Sequence, residues 1–382
     1  MILKSIFDEI LKIRGEKSTD LKHLDGNRYC MVTDKNNGSH TAYCCSVPIR
    51  NKKTLKFIDL HFRKLETSYC LYGTHSKITI ENDIILENEY GACTISLPDI
   101  LEQKGEISCK GRDFEVFPTL NGLAFKASNM CDIAKTIKLS LKSVYRPFEV
   151  FSNKRCFSLK MNDGTPFLTL SCIGSLDEDN SVIGACEVMY KAVDNNQYVV
   201  TILPKNKEAK YTFYEINFHE FKLFQDTTVD SFLPDANNAF GGTAFIGNSE
   251  TYGEQWLYSK PDFSLVPELL LHKINRAILH IPKLNNKSIG ICVFPLQKRF
   301  CSVGTTWNNK IAYISEKEKL SYNKNEYLDI DITEFVVNKN NDYLIRTDGF
   351  VIKSCIDNND YIVISTGDSY YAPQILELNY DS

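Results

Sequence analysis

Asp329-Ile330-Asp331-Ile332-Thr333 alternates carboxylate and isoleucine without a break, so on an extended backbone its side chains divide cleanly between two faces. Ile330 and Ile332 then pack inward, and Asp329 and Asp331 face solvent or a cation. The same period of two runs through Thr54-Leu55-Lys56-Phe57-Ile58-Asp59-Leu60-His61-Phe62, Lys77-Ile78-Thr79-Ile80 and Thr136-Ile137-Lys138-Leu139-Ser140-Leu141. Ile, Val, Thr, Phe and Tyr dominate these runs, as half-buried strands require. Clusters such as Asp34-Lys35-Asn36-Asn37-Gly38 supply the turns between them. The fold class is therefore all-β.

Working outward from residue 329, strands are expected at 226–230, 243–247, 256–260, 275–281, 289–294, 327–333, 349–354, 361–365 and 374–380. Short antiparallel strands at this spacing suit a two-sheet sandwich. Upstream, Phe157 to Lys160, Phe167 to Cys172, Gly184 to Tyr190 and Tyr198 to Leu203 read as four strands, with a boundary near Pro147. At the start, Ile2, Leu3, Ile6, Phe7, Ile10 and Leu11 share one helical face, which predicts a short amphipathic helix stopped near Gly15. With 382 residues, one core is too few. The expected organisation is a helix in 1–20, β-rich regions in 21–150 and 151–224, and a sandwich in 225–382.

An ordered set of short signals runs through that last block. It comprises Gln225-Asp226-Thr227-Thr228-Val229, Asn237-Asn238-Ala239-Phe240-Gly241-Gly242, Phe263-Ser264-Leu265-Val266-Pro267 and Ala277-Ile278-Leu279-His280-Ile281. Thr305-Thr306-Trp307-Asn308-Asn309, Asp348-Gly349-Phe350-Val351-Ile352, Ile364-Ser365-Thr366-Gly367 and Pro373-Gln374-Ile375-Leu376-Glu377-Leu378-Asn379-Tyr380 follow. In this order they resemble a DNRLRE domain, a jelly roll similar to carbohydrate-binding modules and common in bacterial surface proteins. One departure is Glu254-Gln255-Trp256-Leu257-Tyr258, where the family usually carries Arg ahead of the strand. The resemblance implies binding rather than catalysis. It also implies a structural Ca²⁺, with Asp226, Asp230 and Asp368 as ligands. A sugar would need exposed aromatic faces with polar neighbours, for which Trp256, Tyr258, Tyr370 and Tyr371 are the candidates. Trp307 is expected to pack.

Composition narrows the function classes. A formal charge of −4 leaves no basic field for nucleic acid. The sequence holds no run of about 18 uncharged apolar residues that would span a membrane. Asp8 and Glu9 interrupt the only apolar start, so no secretory signal is expected and synthesis in the cytoplasm is. Thirteen cysteines without a C-x-x-C, several of them in apolar stretches (Cys156, Cys172, Cys186, Cys292, Cys355), are expected as buried free thiols.

Catalytic motifs are absent from the sequence: no G-x-G-x-x-G, P-loop, H-E-x-x-H or G-x-S-x-G occurs. His40 stands near Cys44 and Cys45, but a thiol nucleophile needs a lowered pKa and an oriented base, and this short separation establishes neither. Glu87 with Glu89, and Asp329 with Asp331, stand about 7 Å apart on a strand face, loosely like glycosidase pairs, but surface alternation produces the same spacing. The expected function is a non-enzymatic structural or adhesion protein displaying a carbohydrate-binding-like jelly roll, assembled as a homo-oligomer or larger particle such as a phage tail or baseplate. A glycan-active enzyme with an accessory binding module, and a bacterial envelope protein, are the alternatives. Surface polysaccharide is the expected partner.

Overall fold

A computed structural model of the chain describes residues 29–36, 39–46, 49–51, 54–56, 63–65, 68–70, 77–80, 83–88, 91–96, 100–103, 106–109, 114–118, 122–129, 136–143 and 149–160. Beyond these it describes 166–194, 196–218, 224–261, 274–315, 319–321, 326–338, 343–344, 348–355, 359–369 and 374–381. The helix expected in 1–20 lies outside the described residues. Elsewhere the chain is an all-β protein of antiparallel sheets, as the alternating runs require, with one short described helix at Thr333–Val336. No described helix is long and apolar enough to cross a membrane.

The chain divides into two units: residues 1–3, 46–59 and 73–221 form the first, and residues 4–45, 60–72 and 222–382 the second. In the first, eight described strands form one sheet in the order Cys186–Asp194, Gln197–Pro204, Thr136–Ser143, Gly91–Ser96, Ile84–Asn88, Lys77–Ile80, Thr54–Lys56, Ile49–Asn51. A second sheet runs Phe114–Pro118, Gly122–Ser128, Tyr211–Phe218, Pro166–Leu176, Cys156–Lys160, Glu149–Asn153, with Val182–Gly184 on the long strand. Ile95, Leu139, Val188, Val200 and Ile202 of the first sheet share one core with Phe125, Phe157, Leu170, Tyr214 and Ile216 of the second. Phe125 and Tyr214 stack at 5.0 Å between ring centres. Because strands on both sides of residue 150 build this core, the boundary expected near Pro147 runs through the middle of the sandwich.

The second unit is also two sheets around a core. Tyr29–Asn36, Ser39–Ser46, Ile375–Asp381, Ile274–Pro282 and Tyr327–Asp331 lie in that order in one sheet. Lys319–Ser321, Ile291–Pro295, Phe350–Ser354, Gly253–Pro261, Thr243–Ser249 and Tyr361–Ser365 form the other, with Phe224–Asp230 paired to Gly253–Pro261. Leu279, Ile281, Leu328, Ile330 and Leu376 meet Ile246, Leu257, Val293, Ile352 and Ile364 between the sheets. Ile330 and Ile332 are 2% and 0% exposed while Asp329 and Asp331 face outward, as the alternation predicts. Asp331 Oδ1 accepts the Thr333 N–H at 2.9 Å and caps the short helix.

Two features of this unit lie beyond local pattern. Ser39–Ser46 pairs with the far end of the chain, Thr41 opposite Asn379 and Ala42 opposite Leu378. Gly247 pairs with Gln255 on one side and Tyr361 on the other. Its φ is +118°, and a Cβ there would collide with the backbone of Asp360 and Tyr361, so glycine is required.

Candidate functional site

The site begins with the alternation of Gly253–Pro261. Leu257 points into the core between the sheets, so Trp256 and Tyr258 point to the opposite, outer face. On most sandwich sheets that face would be polar. Here it carries a second apolar cluster, with Val229, Phe294, Leu296, Phe300 and Val351 buried and Trp256, Trp307, Ile311 and Tyr313 half-buried around them.

The segment from Leu296 to Ser315 folds back over this face. It is tied to the sheet by Leu296 N–H to Gly349 O at 2.9 Å and Ile314 N–H to Pro295 O at 2.9 Å. Asparagines set its far end. Asn237 Nδ2 donates to Ser302 O at 2.6 Å and Thr305 O at 2.9 Å. Asn308 Nδ2 donates to Asp235 Oδ1 at 2.7 Å, and its own N–H reaches Pro234 O at 3.0 Å. Asn309 closes a tight turn by accepting the Thr306 N–H at 2.6 Å and donating to Gly304 O at 2.8 Å. Asn237, Asn308 and Asn309 of the ordered sequence set thus spend their side chains on holding one loop.

That loop delivers Trp307 beside Trp256, 5.3 Å between ring centres at 59°, and Tyr313 beside Trp256 at 6.0 Å, edge to face. Tyr313 also stacks on Phe294 at 4.5 Å. The Trp256 indole N–H donates to Glu254 Oε1 at 2.7 Å, which fixes the ring's rotation. Two ammonium groups join the rings. Lys310 Nζ lies 3.2 Å from the Trp307 centre and 4.4 Å from that of Trp256. Lys353 Nζ lies 4.8 Å from the Trp256 centre and donates to Tyr313 Oη at 3.2 Å. Such cation–π contacts are strongest over tryptophan. Partial burial holds the Lys310 ammonium below the usual lysine range; Glu254 opposes this, and the like charge of Lys353 adds to it.

Across the same face, Cys292 and Cys355 are joined in a disulfide between the strand Ile291–Pro295 and the residue following Phe350–Ser354. This corrects the expectation that both are free thiols. Adjacent strands brought 63 residues of separation down to a Cα–Cα distance of 5.1 Å, within disulfide reach. Cys93, Cys156, Cys172 and Cys186 are free and buried, and Cys301 is free and exposed.

Of the four aromatic candidates, Trp256 stands at the centre of the cluster. Tyr258 does not meet solvent: it is 0% exposed, its hydroxyl donates to Ile311 O at 3.0 Å, and Phe300 lies 5.9 Å from it. It is a packing residue, and burial pushes its phenol above the usual range. Tyr370 and Tyr371 lie outside the described residues. Trp307, Tyr313, Lys310 and Lys353 are members of the site that strand periodicity does not single out, because loop closure brings them together.

The three carboxylates proposed for calcium are all buried: Asp226, Asp230 and Asp368 are 2%, 0% and 3% exposed. Asp226 accepts the Gly367 N–H, so it belongs with the loop that holds Asp368. Asp230 serves another loop, accepting the Leu233 N–H at 2.9 Å and Asn238 Nδ2 at 3.0 Å. Four residues along one strand separate Asp226 from Asp230 by about 13 Å. Among the described residues no group of three or more His, Cys, Asp or Glu side chains is close enough to hold an ion. The strand-face pair Asp329 and Asp331 is also engaged: Asp329 with His280 Nδ1 at 2.7 Å, Asp331 with Arg276 at 3.8 Å.

The outer face thus brings together three half-buried rings, two ammoniums, one phenol hydroxyl and a carboxylate bonded to an indole. The chain matches no family model and no curated protein.

Proposed function

We propose that this is a non-catalytic adhesion or structural protein whose second sandwich, a DNRLRE-like jelly roll, binds surface polysaccharide at the Trp256–Trp307–Tyr313 cluster. The observation that carries this reading is the cluster itself. Half-exposed rings stand together on the solvent side of a sheet, braced by a hydrogen-bonded loop and flanked by polar groups. Sugar C–H faces stack on such rings, each contributing roughly 0.5–1.5 kcal/mol, and adjacent hydroxyl groups find donors and acceptors. Single-site affinity of that order is weak, so repeated display on an oligomer or on a particle such as a phage tail would give useful avidity.

The test is retention of the protein on immobilised bacterial surface polysaccharide, comparing the native chain with Trp307→Ala and with Tyr258→Phe. The first variant removes a half-exposed ring and weakens retention several-fold. The second removes only a buried hydrogen bond and leaves retention unchanged. Equal retention of all three proteins refutes the site.

A further inference from the structure

Resting on that reading, we infer that the ligand is an acidic polysaccharide, and that its carboxylate or phosphate group sits with the Lys310 and Lys353 ammoniums beside Trp256. Both ammoniums lie within 5 Å of the centre of the same indole, at 4.4 and 4.8 Å. Lys310 covers Trp307 as well, at 3.2 Å. A neutral sugar seeking either ring must push a cation aside. An anion has no such conflict: it brings the charge opposite to both ammoniums and offsets the effect of Lys353 on Lys310, while the sugar that carries it lies against Tyr313 or the indole edge. Among the described residues Glu254 is the carboxylate that acts on Lys310, and its Oε1 is engaged by the Trp256 N–H, so the two lysines outnumber it at the indole. Partial desolvation of Lys310 strengthens what a bound anion would gain.

The surrounding chemistry makes this specific rather than general. The chain as a whole carries a formal charge of −4, so a polyanion is not drawn in by bulk charge and any affinity for one must be local. Carboxylate and phosphate present the same acceptor oxygens to lysine. The site identifies the charge; the probe must identify its source.

Isothermal titration of the intact protein with alginate (a polyuronate), polyglycerol phosphate and dextran separates the cases. Binding of either acidic polymer, with dextran at least on the order of tenfold weaker, is expected. Lys310→Gln with Lys353→Gln should weaken acidic-polymer binding by on the order of tenfold or more, and Lys310→Arg should retain most of it. Raising the salt should weaken the native protein and barely affect the double variant. Whichever acidic polymer binds names the group. If dextran binds as tightly, or if the double variant with an unchanged thermal midpoint binds acidic polymer like the native chain, the anion subsite is wrong while polysaccharide binding stands. If none of the three polymers and no surface polysaccharide binds, both fall.

Discussion

Lys310 Nζ stands 3.2 Å from the centre of the Trp307 ring, so the loop that covers the outer sheet face also supplies half of the candidate site. Its geometry depends on bonds made far from the rings, chiefly those of Asn237 to Ser302 and Thr305. Asn237→Ala should therefore do two things. Loss of the paired hydrogen bonds costs about 1–2 kcal/mol in urea unfolding. Release of the loop moves Trp307, which shifts the native tryptophan emission. A variant with native emission would show that the loop is held by its apolar contacts alone.

The Cys292–Cys355 disulfide closes a 63-residue separation in the strands beneath this loop. Replacing both cysteines by alanine should lower stability by about 2–4 kcal/mol, largely through the unfolded chain. Alkylation of the native protein should label Cys301 readily and the buried Cys93, Cys156, Cys172 and Cys186 only after unfolding. Cys292 and Cys355 should react only after reduction. Labelling of Cys292 and Cys355 without reduction would contradict the bridge.

The strand Ile375–Asp381 lies between Ser39–Ser46 and Ile274–Pro282. A fragment beginning at Lys222 lacks the first of these partners and leaves a row of backbone donors and acceptors unpaired at a sheet edge. Such a fragment should self-associate or melt well below the full chain, read by sedimentation and thermal unfolding. A monomer that melts like the full protein would show that residues 29–46 add nothing to the second sandwich.

Residue order carries the strands of this chain but not their partners. A strand stands at each of the nine places expected between residues 226 and 380, because period-two alternation such as Tyr327 to Asp331 is a local consequence of burying one sheet face. The one expected to reach residue 333 ends at Asp331, where the helix Thr333–Val336 follows. Pairing is not local. Nothing in Ser39–Ser46 points to a partner more than 330 positions away, and nothing in Cys292 points to Cys355. The site shows the same division. Trp256 and Tyr258 share an outward face by periodicity, yet Phe300 and Ile311 close over only the second. Lys310 and Lys353 look like ordinary solvated lysines until the loop and the strand Phe350–Ser354 set them beside one indole.

In the first unit, Glu187 gives a pH signature. A hydrogen bond from Lys205 holds its carboxyl below the usual glutamate range, against the opposing effect of burial and with help from the charges of Lys205 and Lys154. A depressed folded-state pKa contributes stability that is present above the unfolded value near 4.5 and is lost as pH falls through the folded value. Lys205 is 45% exposed, so solvent screening keeps the pair to about 0.5–1 kcal/mol. Lys205→Met should lose that amount in urea unfolding at neutral pH and nothing once Glu187 is protonated. A loss of equal size at both pH values would assign the effect to packing of the lysine stem instead.

The chain contains two tryptophans, and both stand in the candidate site, so its intrinsic tryptophan emission reports on that site alone. Titrating the intact protein with an acidic polysaccharide while following this emission tests polysaccharide recognition at the cluster most directly. A saturable change in intensity or wavelength that follows the bound fraction measured calorimetrically and is reversed by salt is expected. Saturable binding with no change in tryptophan emission would place the ligand elsewhere on the molecule and contradict the assignment.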